Sequence, residues 1–170
     1  MKRIIPLPPE VLELCERVEA QPELVEHLTL VHDCAVRLTR LFARAFPQIV
    51  FDREAVLYGA AIHDLGKVWW PDELVRLGRV HENEGQALLE KVGVPPQYCR
   101  FARTHGSWDH EIVELEDLLV ALADHAWRTS KDEVLEGIVS ALIAQMLAIP
   151  QWEAWMRLDE VLTKVAPTAG

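Results

Sequence analysis

No stretch of the 170-residue chain approaches the run of about 18 apolar residues that a membrane-spanning helix needs. The opening "MKRIIPLPPE" is basic, but prolines and Glu10 interrupt it before a signal-peptide core forms. Paired cysteine spacing is also missing. Cys15, Cys34 and Cys99 stand far apart in apolar contexts, which fits buried thiols in a reducing cytoplasm rather than a disulfide framework. Alternating β-branched stretches are scarce, and no internal repeat, linker or low-complexity tract interrupts the chain. Positive charge is short: 17 Lys and Arg face 27 Asp and Glu, a net charge of -10. That balance excludes an extended nucleic-acid surface, which needs clustered cations. One small anion remains admissible if a local cation collects it.

What is present reads as helix. At this length the expectation is a single domain over 1–170 with a real core. Pro8 and Pro9 lead into a short helix at 9–20. A long one follows at 22–46, where Leu24, Leu28, Val31, Ala35, Leu38 and Phe42 repeat at three and four. Pro47 stops it, and Asp52 is the expected N-cap of a helix at 53–65. "PDELVRLG" predicts a short helix ending at Gly78. Further helices are expected at 81–92, ending at Gly93, and at 95–105, with "GSWDH" as a loop. Helices at 111–129, 131–147 and 150–165 complete an all-α bundle of about seven to eight helices. The acidic "HEIVELEDLL" reads as a solvated face and first turn.

Seven histidines are distributed over this pattern, and any one alone would be an ordinary core residue. Their company is different. His63 and Asp64 close an apolar run, "GAAIHDLGKVWW", and Asp124 sits inside "LLVALADHAW". A bare buried carboxylate is very costly, so these groups require a cation or strong donors. Imidazole plus carboxylate is a ligand set for a divalent metal such as Mn, Fe, Co, Ni or Zn, with Mg also admissible. Facing helices of a bundle present such ligands readily.

The order His32, then His63-Asp64, then Asp124 resembles the HD superfamily of metal-dependent phosphohydrolases. "HDCAVRLTRLFARAFPQIVFDREAVLYGAAIHDLGKV" is similar to the family's first ligand helix, connector and HD helix, with the HDxGK form of the motif. "HENEGQALLEKVGVPP" and "LEDLLVALADHAW" resemble the segments that follow. The likeness is strongest over 25–130, with 131–165 as C-terminal helices. It implies an HD-domain bundle and one or two divalent metal ions. The first metal would take His32, His63, Asp64 and Asp124. His81 and His105 would serve a second metal, with Asp64 bridging. His27 competes with His32 for the first place, but the connector alignment favours His32 and leaves His27 in the core stripe. Members that cleave cyclic dinucleotides carry a doubled His and a Gly-Tyr-Pro segment, which "THGSWDHE" lacks, so that reaction is not expected. His110 reads as a loop residue.

The implied chemistry is hydrolysis of a phosphate ester or anhydride by a metal-activated water, with Asp64 and Lys67 as catalytic residues. Lys67, Arg128 and Lys131 are the cations expected to hold the substrate, a nucleotide or small phosphometabolite. Trp69 and Trp70 read either as a base-stacking pair or as packing for the segment after the motif. Trp152 and Trp155 read as core or as a contact between copies of the chain. Two other functions stay open: a di-iron HD-type oxygenase, and a metal-binding module without catalysis.

Overall fold

The computed structural model of the chain describes residues 4–76, 78–108, 113–128 and 130–165. His110 lies outside them. Among the described residues there is no strand, and the helices run α1 Pro9–Arg17, α2 Pro22–Ala45, α3 Arg53–Ile62, α4 Val80–Lys91, α5 Pro96–Cys99, α6 Phe101–Ser107, α7 Leu115–Trp127, α8 Glu133–Leu147 and α9 Gln151–Val165. Arg100 keeps helical dihedrals between α5 and α6, so those two segments form one bent rod. Short 3-10 turns over Leu65–Val68 and Pro71–Leu74 connect α3 to α4.

The punctuation follows the local chemistry. Proline occupies the first turn of α1 and α2, where its missing N–H is no loss. The Asp52 carboxylate accepts from the Ala55 N–H at 3.0 Å and caps α3. Asp132 does the same for α8, accepting from the Val134 and Leu135 N–H groups. Gly93 carries the positive φ that ends α4.

α2 is the axis of the molecule, packing against α3, α7 and α9. Its stripe of Val31, Ala35, Leu38 and Phe42 joins α3, α7, α8 and α9 in one apolar cluster. Its first turns, with Leu24 and Leu28, belong to a second cluster with α1, Ile62, Leu65 and Leu89. Fully burying one such Leu or Phe contributes about 1.5–3 kcal/mol, so both clusters hold α2 and α3 firmly. His27 and the end of α3 lie where the two clusters meet. No single helix among the described residues is long and apolar enough to cross a membrane.

Several expectations shift here. α3 ends at Ile62 rather than 65, and the chain tightens into the 3-10 turn that carries Lys67. Gly66 sits in that turn. A Cβ there would overlap the His81 carbonyl oxygen, so glycine is required by the close approach of α4. Asp117, expected on a solvated face, is buried and bonded to Thr104 at 2.7 Å and Arg100 at 3.1 Å, bracing α6 against α7. Trp69 and Trp70 are partly exposed, with Lys91 over the Trp69 ring. Trp152 is exposed, whereas the Trp155 ring lies over Gly137 of α8.

Candidate metal centre

The switch from α-helix to 3-10 turn at His63 and Asp64 sends both side chains inward, and both are almost fully buried. His63 Nδ1 lies 2.9 Å from the Ala60 carbonyl, and His105 Nδ1 lies 3.1 Å from that of Phe101. His81 Nδ1 lies 2.5 Å from the Glu73 carboxylate. A carbonyl or carboxylate can only accept, so each Nδ1 donates and each Nε2 carries a lone pair inward.

Those lone pairs, and the Nε2 atom of His27, converge on carboxylates. Asp64 Oδ2 lies 2.9 Å from His27 Nε2 and 3.6 Å from His63 Nε2. Asp124 Oδ1 lies 3.5 Å and 3.7 Å from the same two nitrogens. The other oxygen, Asp64 Oδ1, lies 3.1 Å from His81 Nε2 and 3.3 Å from His105 Nε2. His27 Nε2, His63 Nε2, His81 Nε2 and Asp64 Oδ1 are buried without a hydrogen-bond partner. Buried acceptors facing one another repel unless a cation stands between them. Two groupings, His27-His63-Asp124 and His63-Asp64-His105, have ligand atoms close enough to share an ion. The residues fit a divalent metal.

Electrostatics couple the two carboxylates to the imidazoles around them. Burial alone would push the Asp64 carboxyl up, but His63, with His105, His27 and His81, holds it well below the usual carboxylate range. Burial opposes ionisation of Asp124 too, and His63 outweighs it, so its pKa is also low. Complete burial pushes His63 down and favours its neutral, metal-binding form. Burial also opposes protonation of His105, yet the neighbouring Asp64 draws its pKa up.

Of the expected site residues, the structure brings together His63, Asp64, His81, His105 and Asp124. It does not bring His32. On an α-helix five residues turn the side chain by roughly 140°, so His27 and His32 cannot face the same point. His27 stands in the cluster instead. His32 is buried on another side of α2, against the N-terminal segment at Ile5. His27 had been read as core because it stands on the apolar stripe between Leu24 and Val31, and that stripe leads into the centre.

Lys67 Nζ lies 2.5 Å from Asp64 Oδ2, buried in the wall of a cleft of about 980 Å³ that opens over the cluster. Arg128 lines the same cleft, 3.6 Å from Asp124. Lys131 does not. Its side chain is 66% exposed, pairs with Asp159 at 2.6 Å, and lines a different cavity. Trp69 and Trp70 are not in the cleft lining either; the indole there is Trp127. The Trp127 N–H donates to Asp124 Oδ1 at 3.3 Å and its ring stands edge-on to His27, 5.2 Å between centroids.

Two supporting residues escaped the sequence reading. Glu73 accepts from the His81 ring and from the Val80 and His81 N–H groups, so one carboxylate caps α4 and orients an imidazole. Glu82, buried beside His81, accepts from Ser107 at 2.6 Å and Arg79 at 3.1 Å. Neither has a spacing signal that could have announced it.

The HD domain family profile matches residues 35–126, more than half of the chain, and the protein belongs to that family. The matched span contains the His63-Asp64 pair, His81, His105 and Asp124. It begins after both His27 and His32, so the choice between those two rests on geometry. No curated protein and no solved structure matches the chain.

Proposed function

We propose that the protein is a metal-dependent phosphohydrolase that cleaves a phosphate ester or anhydride of a nucleotide or small phosphometabolite. The observation that carries this reading is the pair of opposed lone-pair sets around Asp64. His27 and His63 face one oxygen of its carboxylate, His81 and His105 face the other, and Asp124 faces the His27 and His63 nitrogens. Six residues would thus hold one or two divalent ions, with Asp64 shared. Such a cation, when bound, polarises a phosphoryl oxygen and lowers the pKa of water toward neutrality.

The chain's own groups supply the rest. Lys67 and Arg128, in the cleft wall, offer an ammonium and a guanidinium to the remaining phosphate oxygens. Local cations thereby hold an anion although the whole protein is acidic. Trp127 fixes Asp124, and Glu73 fixes His81, so the reacting phosphate meets groups already oriented. Water adds to phosphorus, the P–O bond to the leaving group breaks, and the leaving oxygen takes a proton. The cleft is wide enough for a nucleotide-sized substrate.

The test is elemental analysis of the purified protein, then phosphate release from a panel of nucleotides and sugar phosphates with the metal found. Turnover that Asp64→Asn abolishes supports the reading; inactivity across the panel with every divalent metal tried overturns it. The arrangement of imidazoles on both sides of Asp64 also suits a di-iron oxygenase. Two irons per chain with oxygen consumption and no phosphate release would favour that alternative.

A further inference from the structure

A second cavity, of about 210 Å³, lies between α7, α8 and α9. Its walls include Leu122, Ala126, Leu135 and Leu162, an apolar lining with room for a small organic body. A cavity of about 150 Å³ lined by aliphatic side chains accommodates benzene, so this one admits a phenyl ring with a short arm. The wall also holds two carboxylates, those of Asp132 and of Glu136, the latter in a residue only 5% exposed. The Glu136 side chain makes no hydrogen bond or salt bridge with any described residue.

The neighbours do not neutralise it. Asp132 is engaged in capping α8, and the ammonium of Lys131 is held by Asp159 at the exposed rim. Asp159, Asp132 and Glu133 act on Glu136 with like charge, and Lys131 acts on it with opposite charge. Burial, offset in part by Lys131 and reinforced by the acidic neighbours, raises the pKa of Glu136. A carboxylate that opens into a largely apolar cavity and has no protein partner is poorly compensated, and a cation delivered with its own apolar body supplies that partner.

We propose that this cavity is a second ligand site, for a small amine whose apolar body fills the space between α7, α8 and α9 and whose ammonium pairs with Glu136. An anion is rejected by the same carboxylate, and a neutral isostere gains the apolar contacts without the ion pair. The site is separate from the metal cleft. The two spaces share only His125, on the last turn of α7, and none of the proposed metal ligands lines the smaller one.

The experiment uses the full-length protein as purified and three probes of one shape: 2-phenylethylamine, 2-phenylethanol and 3-phenylpropionate. Affinity is followed by titration of methyl NMR signals. The expected result is that the amine shifts the Leu122, Leu135 and Leu162 methyls, binds at least about tenfold more tightly than the alcohol, and that the acid does not bind. Glu136→Gln should reduce the amine to the affinity of the alcohol. Ala126→Phe, which fills the cavity and leaves the carboxylate, should abolish binding of both. Equal affinity of amine and alcohol overturns the proposal. So does no binding of any probe, an unchanged amine preference in Glu136→Gln, binding retained in Ala126→Phe, or shifts confined to the Leu74 and Val75 methyls in the metal cleft.

Discussion

Asp64 Oδ2 lies 2.9 Å from His27 Nε2, across the gap between the end of α3 and the first half of α2. The relationship joins two segments 37 positions apart through atoms that are buried, and His27 Nε2 has no hydrogen-bond partner. It fixes which face of α2 looks into the centre. It also explains why one carboxylate can serve two sets of imidazoles, since its other oxygen turns to His81 and His105.

Metal removal should destabilise the protein. A ligand that binds only the folded state stabilises it by about 4 kcal/mol at a thousand times its Kd. A chelator should therefore lower the melting temperature of the wild type, and adding the metal back should restore it. Asp64→Ala, deprived of the shared ligand, should melt at the same temperature with and without chelator. Calorimetric melts of the two proteins check this.

Glu73→Gln keeps the shape of the side chain but removes the charge that orients His81. Loss of such a supporting partner typically weakens metal affinity by about 10–100-fold. The effect should fall on the ion served by His81 and His105, leaving the one served by His27, His63 and Asp124 nearly unchanged. Competitive titration with a chromophoric chelator would resolve the two affinities.

Gly66→Ala should cost about 1–3 kcal/mol, because the new methyl overlaps the backbone of α4 at His81 and Gly85 rather than a side chain that can turn away. The displacement moves His81, so stability and metal affinity should fall together. Denaturant unfolding and metal titration of the same sample check both.

The three cysteines should resist modification in the folded protein. Burial pushes the Cys15 and Cys34 thiols up to about 11 and raises Cys99 as well. At pH 8 about one in a thousand of a thiol with such a pKa is ionised. A thiol reagent should find no fast-reacting group until denaturant is added, and then three. The sign of the linkage follows. The thiol contribution to stability is complete below about pH 9 and declines as pH rises toward 11, because the unfolded state ionises first.

The helices were legible because their signals are local. The three-and-four repeat of α2, the Asp52 cap, the prolines in first turns and Gly93 each act within a few residues of chain. The His63-Asp64 pair was legible as chemistry, since burying both at a helix end demands a partner. His27 was not, because an apolar stripe marks the buried side of a helix without saying whether core or metal fills it. Glu73 and Asp117 were hidden for a different reason: their partners lie on other elements, and acidic residues in short connections look solvated. Lys131 lies away from the cleft because the chain leaves α7 at Trp127, before that residue is reached.

The assignment of His27 is the claim on which the centre stands. The most direct measurement is metal content per chain, by elemental analysis, of wild type, His27→Ala and His32→Ala after identical purification, with folding checked by circular dichroism. The account predicts that His27→Ala loses the metal bound by the wild type while His32→Ala retains it. A folded His27→Ala with full metal content, or loss of metal from His32→Ala alone, would contradict it.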